Sequence, residues 1–440
     1  MKLLCISNGH GEDVIACRIL NAVRQKHPTV ELSALPITGS GSTYLSSDIP
    51  IIGQTKVLPS GGFLNRDPKQ LARDVQKGLI PLTRSQLAAI KAWAANADSS
   101  GNAILAVGDI VPQIFAHLSG LPYVFVGTAK SEYWLRDDAG QRSGQRSGHR
   151  SGKTLGDRLE GWSGSVYLPW ERWLMARNNC RAVFVRDALT AKTLQNLGIR
   201  AYYEGNPMMD SLAPEGKLDG LLAHIASTSE PVNSGQHQAE GSPQDRETLT
   251  IALLPGSRQP EAYENWANIM NALPSLVDTF PAKSIILLGA IAPSLSPDKL
   301  PANPNTWTHQ SKPYSTFTHQ NVTLLLIQDA YNDCLQAADI AIATAGTATE
   351  QFVGLGKPAI TLPGNGPQFT QAFATVQAKM LGPSVHMVCS PKEIGGAIAQ
   401  ILSDRDRLQL IQENGKQRMG EPGGGERIAR QLIKHLTTAT

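Results

Sequence analysis

The sequence has little that would tie it to a polyanion, a disulfide scaffold or a membrane span. Its 440 residues carry a formal net charge of +3, too small at this length for a global argument in favour of nucleic acid. Cysteine is sparse. Cys5, Cys17, Cys180, Cys334 and Cys389 lie far apart and form no C-x-x-C pair, which argues against a disulfide framework and a zinc site and predicts reduced thiols in a cytosol. Long apolar runs are missing as well. The longest, "SIILLGAIA" (284 to 292) and "VTLLLI" (322 to 327), are strand-sized and well short of the ~20 residues a spanning helix needs. "MKLLCIS" is too short for the apolar core of a signal peptide. Any membrane contact is therefore expected to be peripheral.

What is present is an ordinary globular balance, 41% hydrophobic and 18% charged, with length for two or three domains. Strand-like runs alternate with helical stretches: "KLLCIS" then "DVIACRILNAVRQKH", "AILAVG" then "VPQIFAHLSG", "YVFVGT", and "AVFVRD" then "LTAKTLQNLG". That alternation predicts a parallel sheet with crossover helices. It breaks at 213 to 248, whose last twenty or so residues are rich in Ser, Gln, Gly and Glu and nearly free of aromatics, the composition of a linker with a disordered insertion. It then restarts with "TIALLPG", a helix from about 260 to 280, "SIILLGA", "VTLLLI", "IAIATAG" and "AITLPG". The predicted organisation is a first α/β domain over 1–208, a linker over 209–248, a second α/β domain over 249–420, and a C-terminal helix over 421–440 packing back on the first domain. Two doubly wound sheets of this kind bind ligands outside the carboxyl ends of their strands, so two facing domains predict a cleft lined by loops of both.

Two biased segments lie in the first domain. "GQRSGQRSGHRSGK" (140 to 153) repeats Arg-Ser-Gly and carries no acidic residue. It reads as a mobile basic loop, either a solvated insertion or a tether for anionic head groups. Close by, Trp134, Trp162, Trp170 and Trp173 stand among Arg158, Arg172 and Arg177. Such residues suit a membrane interface, or else the tryptophans are core and the arginines snorkel.

The chemistry concentrates in the second domain. In "IALLPGSRQPEAYENW" a buried strand is followed by Gly256-Ser257, and Pro260-Glu261 has the look of a first helical turn. Backbone N–H groups at such a turn attract phosphate, and Arg258 adds a guanidinium able to contact phosphate oxygens. The same arrangement recurs in "IAIATAGTATEQFVGLGKP", with Gly346 and Thr347 at the turn and a helix end near Gly354 or Gly356. Two such turns predict a diphosphate held between them. Thr347 and Glu350 also have the spacing of a capping box, so Glu350 is read either as a cap or as a ligand carboxylate.

"LLPGSRQPEA" followed some ninety residues later by "AGTATEQFVGLGKPAITLP" resembles the lipid-A-disaccharide synthases, which share the motifs LPGSR-x-x-E and SGTA-x-x-E. In the first domain "YYEGNPMMDSL" and "CRAVFVRD" are similar to that family's hinge strand and the strand before it. The first loop departs: "SNGHGED" keeps Asp13 in register, and Asp109 in "VGDIVP" is displaced by one place. The chain thus resembles a synthase-related glycosyltransferase rather than the synthase itself.

The resemblance implies a GT-B architecture, two Rossmann-like domains facing a central cleft, and inverting transfer of a sugar from a UDP-sugar to a lipid or other hydrophobic acceptor. The family's substrates are UDP-2,3-diacylglucosamine and lipid X. UDP-sugar is then a co-substrate, with no cofactor and no metal. The literal D-x-D, Asp404-Arg405-Asp406, suits a helix N-terminus instead. The acceptor side falls on Gly9, Gly11 and Asp13. His10, between glycines at the end of the first strand, is a candidate general base or a turn cap. Asp109 is a second candidate for the base, a residue orienting His10, or a helix cap. Donor contacts fall on Gly256, Ser257, Arg258, Gly346 and Thr347, with Glu350 on the ribose diol, as is common in GT-B enzymes. Gln368 and Gln371 in "GNGPQFTQAF" offer the donors and acceptors that sugar hydroxyls require, unless they face water. The expected site of action is cytoplasmic, or peripheral at the cytoplasmic face of the inner membrane. A UDP-sugar 2-epimerase on the same scaffold and a catalytically silent sugar-nucleotide or lipid-binding protein are the alternatives.

Overall fold

A computed structural model describes residues 1–9, 11–57, 75–95, 101–141, 163–228, 248–300, 307–310, 314–364, 366 and 369–437. The chain divides into two compact units, Met1–Asp210 with Gly420–Thr440, and Ser211–Met419.

In the first unit β1 (Lys2–Ser7), β2 (Glu31–Pro36), β3 (Asn102–Gly108), β4 (Tyr123–Gly127), β5 (Cys180–Val185) and β6 (Ala201–Tyr202) form a sheet in the order β2-β1-β3-β4-β5-β6. Every pairing described in it is parallel. Its central strands are almost wholly buried, all seven residues of β3 included, because crossover helices cover both faces of such a sheet. The helices are α1 (Gly11–Lys26), the short α2 (Ser42–Leu45), α3 (Leu79–Ala95), α4 (Ile110–Leu118), α5 (Pro169–Met175) and α6 (Ala188–Asn196). The chain runs from β1 outward to β2 and then returns to the other side of β1 as β3. The carboxyl ends of β1 and β3 therefore flank the point where the winding reverses, which is where open α/β sheets place their ligands.

The second unit begins with α7 (Asp219–Thr228) and repeats the plan. Here β7 (Thr248–Leu254), α8 (Glu261–Met270), α9 (Leu273–Thr279), β8 (Ser284–Ala290), β9 (Thr308–Gln310), β10 (Ser315–His319), β11 (Val322–Ile327), α10 (Tyr331–Ala337), β12 (Ile340–Ala343), α11 (Thr347–Gly354), β13 (Ala359–Thr361), α12 (Gln371–Leu381), β14 (Val385–Met387), α13 (Ile394–Leu402) and α14 (Arg405–Met419) follow in turn. The sheet order is β14-β13-β12-β7-β8-β11-β10-β9. The winding reverses between β7 and β12, so the turns after those two strands share a switch point. Each unit has its own core.

Three expectations are corrected. The segment 209–228 is no free linker: the Asp333 carboxylate accepts the N–H groups of Glu215 and Lys217 at 3.1 and 3.0 Å, Leu218 is fully buried, and α7 follows. The remainder of that expected insertion, 229–247, lies outside the described residues, as do 142–153 of the basic loop. The single helix expected over 260 to 280 is two, because Pro274 sits in the first turn of α9 and a proline ring cannot continue the preceding helix. The sheet of the second unit is not wholly parallel. β10 pairs antiparallel with both β11 and β9.

The chain leaves the second unit near residue 420, and α15 (Gly424–Thr437) packs on α1, β4 and β5 of the first. Its N-terminus is capped from a distance: Asp210 accepts the N–H groups of Gly423, Gly424 and Gly425 at 2.6, 3.0 and 2.8 Å.

Candidate functional site

In the second unit the turn after β7 carries Pro255, Gly256, Ser257 and Arg258. Gly256 has φ 95°, a left-handed conformation that costs glycine little. Ser257 is exposed and Arg258 half-buried. The turn after β12 carries Thr344, Ala345 and Gly346. Gly346 is the N-cap of α11, and no side chain caps that helix. Pro260 likewise precedes α8 without a side-chain cap. At α8 the amides of Ala262 and Tyr263 donate to Arg258 O and Pro260 O at 2.8 and 3.0 Å, whereas the start of α11 carries no side-chain cap, the arrangement that attracts anions.

Buried side chains hold the two turns in place by their carbonyl groups. Asn265 Nδ2 donates to Pro255 O at 3.1 Å and to Thr344 O at 3.3 Å, so one amide ties the first turn to the second. From α12, Gln377 Nε2 donates to Ala345 O and Gly346 O at 3.2 and 3.0 Å. The Thr344 N–H also points inward, donating to Leu254 O at 2.9 Å. Thr344 Oγ1 is buried and has no partner among the described residues. Glu261 takes a different part: its Oε1 accepts the N–H of Phe369 at 2.6 Å, and a methyl group at Gly366 would lie 2.3 Å from its carboxyl carbon. The glutamate of the LPGSR-x-x-E motif thus holds the loop after β13 against the first turn.

The capping box, one of the two readings of Thr347 and Glu350, is not formed among the described residues. Thr347 is already helical, and the N–H of Glu350 donates to Gly346 O at 3.2 Å, as an interior helical residue does. Glu350 is buried in the first turn of α11. Gln371 is exposed at the start of α12, which Thr370 caps by accepting the N–H of Phe373 at 3.2 Å. Gln368 lies outside the described residues. Asp404 accepts the N–H of Arg407 at 2.9 Å and so caps α14.

In the first unit the carboxyl ends of β1, β3 and β4 converge. Asn8 Nδ2 donates to Asp109 Oδ1 at 2.9 Å, and Asp109 N donates back to Asn8 Oδ1 at 2.9 Å. The same carboxylate oxygen caps α4 by accepting the N–H of Val111 at 2.8 Å. Burial raises the Asp109 carboxyl above its ordinary value, against the lowering effect of these hydrogen bonds. Asp13 is turned inward, where Ser7 Oγ donates to it at 2.5 Å and Tyr44 donates to Ser7 at 2.6 Å. Gly9 has φ 125°, and a methyl group there would lie 2.5 Å from Thr38 O. Gly11 begins α1 and is exposed. His10 lies outside the described residues.

Glu12 is a residue that sequence reasoning missed. It is buried in the first turn of α1 and accepts from Thr128 Oγ1 at 3.3 Å. Burial, with Asp109 and Asp13 nearby, pushes its carboxyl up to about 7, where it exchanges a proton at neutral pH. Asn265 and Gln377 were missed too, since a buried amide leaves no trace in an apolar pattern.

The tryptophans divide. Trp134 packs against the core of the first unit, Trp162 lies outside the described residues, and Trp170 and Trp173 on α5 are about half exposed. The Arg177 guanidinium stacks 3.6 Å from the Trp173 ring centroid. No helix among the described residues is long and apolar enough to cross a membrane.

No protein-family model matches the chain. Over 190 residues it is 26% identical to lipid-A-disaccharide synthase 1 of Legionella pneumophila subsp. pneumophila strain Philadelphia 1, covering 43% of this chain and 41% of that protein. With the strain Lens protein of the same name the identity is 30% and the coverage the same. The chain thus spans about two fifths of the length of these curated relatives. By structure it is similar to MurG from Acinetobacter baumannii (TM-score 0.55, 13% identity, 98% of this chain and 99% of that one). It is similar also to CalG4, the calicheamicin glycosyltransferase (0.54, 16%, 100% and 99%). A UDP-GlcNAc 2-epimerase from Neisseria meningitidis bound to UDP-GlcNAc matches at 0.53 and 14%, over 99% and 100%. These likenesses define the class: the chain has the GT-B fold, built of two Rossmann-like units. Within that class, part of its sequence is related to the lipid-A-disaccharide synthases.

Proposed function

We propose that the protein is an inverting glycosyltransferase that binds a UDP-sugar on its second unit and transfers the sugar to a lipid or other hydrophobic acceptor, without a cofactor or metal. The observation that carries this reading is the pair of uncapped turns after β7 and β12, joined by Asn265 at the switch point of the second sheet. In this scheme the amides of Ser257 and of the Gly346–Thr347 turn, with Arg258, meet the diphosphate charge. Glu350 accepts from the ribose hydroxyls, and Gln368 and Gln371 from those of the sugar. The acceptor oxygen attacks the anomeric carbon, the bond to UDP breaks, and the acceptor proton passes to a general base. His10, Asp109 and Glu12 are the candidates, with Gly9, Gly11 and Asp13 shaping the acceptor loop. The lipid part of the reading draws on the partial relationship to the lipid-A-disaccharide synthases. It is supported by the half-exposed Trp170 and Trp173, the latter stacked by Arg177, which suit the head-group region of a cytoplasmic membrane face.

The test is a panel of nucleotide sugars screened by thermal shift, followed by assays for UDP release with and without acylated-sugar acceptors. Acceptor-dependent UDP release supports the reading. Conversion of UDP-GlcNAc to its 2-epimer with no acceptor replaces it with an epimerase, and binding without turnover replaces it with a silent binding protein. For the membrane, sedimentation with anionic vesicles is expected to fall severalfold in Trp170→Ser/Trp173→Ser.

A further inference from the structure

One large apolar ring at the nucleotide half-site has no part in the core. Phe373 is 40% exposed, although it stands only one helical turn before Gln377, whose amide is fixed on the Gly346 turn. Residues four apart share a helix face, and the Phe373 ring accordingly reaches the same turn: its Cζ lies 3.6 Å from where a Gly346 methyl group would be. The ring is held there. It packs on the buried Phe369 at a centroid distance of 5.4 Å, tilted by 58°. Phe369 is in turn fixed through its backbone, its N–H on Glu261 and its carbonyl on the N–H of Gly364 at 3.0 Å. The backbone N–H of Phe373 is engaged by the Thr370 cap. An aromatic face is thus pinned, partly exposed, at the surface next to the Gly346 turn.

We propose that Phe373 is the stacking platform for the pyranose ring of the donor and so helps to decide which sugar nucleotides bind. The inference rests on the UDP-sugar reading above. A diphosphate has two neighbours. The ribose hydroxyls require acceptors, which Glu350 supplies within α11, whereas Phe373 offers no polar atom. A pyranose has an apolar face of axial C–H groups as well as its hydroxyls, and such a face matches a flat ring beside hydrogen-bonding side chains. Gln371, two residues before the ring, is exposed on the same helix start and meets the hydroxyl requirement.

Calorimetric titration of the full-length protein with UDP and with UDP-GlcNAc tests this. Phe373→Ala is expected to weaken UDP-GlcNAc about tenfold while UDP affinity stays within twofold, and Phe373→Trp to restore UDP-GlcNAc binding. Thermal unfolding of each variant checks that the exposed position leaves the fold intact. Unchanged UDP-GlcNAc affinity in Phe373→Ala overturns the platform, and so does an equal loss for UDP, which would put the ring on the nucleotide. Failure of the underlying reading looks different: the unsubstituted protein then binds neither ligand.

Discussion

Glu12 shows how one buried carboxyl links chemistry to stability. Its folded-state value of about 7 lies above the ordinary carboxylate range, so the folded protein holds this proton more tightly than the unfolded chain does. The stability it contributes is fully present below the unfolded value, near 4.5, and is lost as pH rises through about 7. A shift of this size corresponds to roughly 3 kcal/mol at most. Glu12→Gln, which cannot ionise, is therefore expected to be more stable than the parent at pH 8 and to show a flatter decline between pH 5 and 8 in denaturant titrations. An unaltered pH profile would mean that Glu12 is an ordinary ionised carboxylate. In the second unit the Gly346 cap separates two roles for Glu350. Since Glu350 does not close a capping box, Glu350→Gln is expected to change stability by only a few tenths of a kcal/mol, but to weaken UDP by about 1 kcal/mol or more, because an NH₂ group then faces hydroxyl donors. Calorimetry together with thermal unfolding reads both. Arg258→Ala is expected to weaken UDP by roughly 1.5–3 kcal/mol if the guanidinium meets phosphate, and unchanged affinity would remove it from the site.

At the scale of elements, the strands that bound the nucleotide half-site were legible because parallel strands buried on both faces read as unbroken apolar runs, as "TIALL" and "IAIA" do here. The hairpin of β9 and β10 was not legible, since its residues are mostly polar and only partly buried. The turn glycines Gly256 and Gly346 stood out by their spacing from the strands. What fixes those turns did not, because Asn265 and Gln377 act across 79 and 31 residues of sequence, and such pairings follow only from the topology. The structure makes Asn265 a clamp between two elements. Asn265→Leu keeps the volume but leaves Pro255 O and Thr344 O buried without this donor, at about 1–3 kcal/mol for each unsatisfied group. It should lower the unfolding midpoint of the second unit and also weaken UDP, since the two turns are then free to part. A variant that loses stability yet binds UDP with full affinity would show that the clamp serves the fold alone.

At the scale of the whole molecule, chain order and unit membership disagree at the C-terminus. Residues 420–440 follow the second unit in sequence and belong to the first in space. Ile428, Ala429, Leu432 and Ile433 of α15 are buried, and its first turn is secured by Asp210. Arg427 Nε donates to Glu204 O at 2.8 Å. The Lys26–Glu426 pair at 2.7 Å is exposed on both sides and adds little. Burying three large aliphatic side chains contributes on the order of 1.5–3 kcal/mol each, a sum comparable with the whole stability of a typical domain, about 5–15 kcal/mol. Two graded effects follow for the first unit. Asp210→Ala removes one carboxylate from three amides and should cost about 1–3 kcal/mol, seen as a lower midpoint for one part of the unfolding curve. Deleting 420–440 should go further: the first unit loses its cooperative transition, while the second, whose sheet and turns lie wholly within 211–419, still unfolds cooperatively and is still stabilised by UDP. Differential scanning calorimetry of the truncated and full-length chains, each with and without UDP, separates the two. A truncated chain that keeps both transitions would show that α15 only decorates the first unit, and one that loses both would show that neither unit is stable without the other.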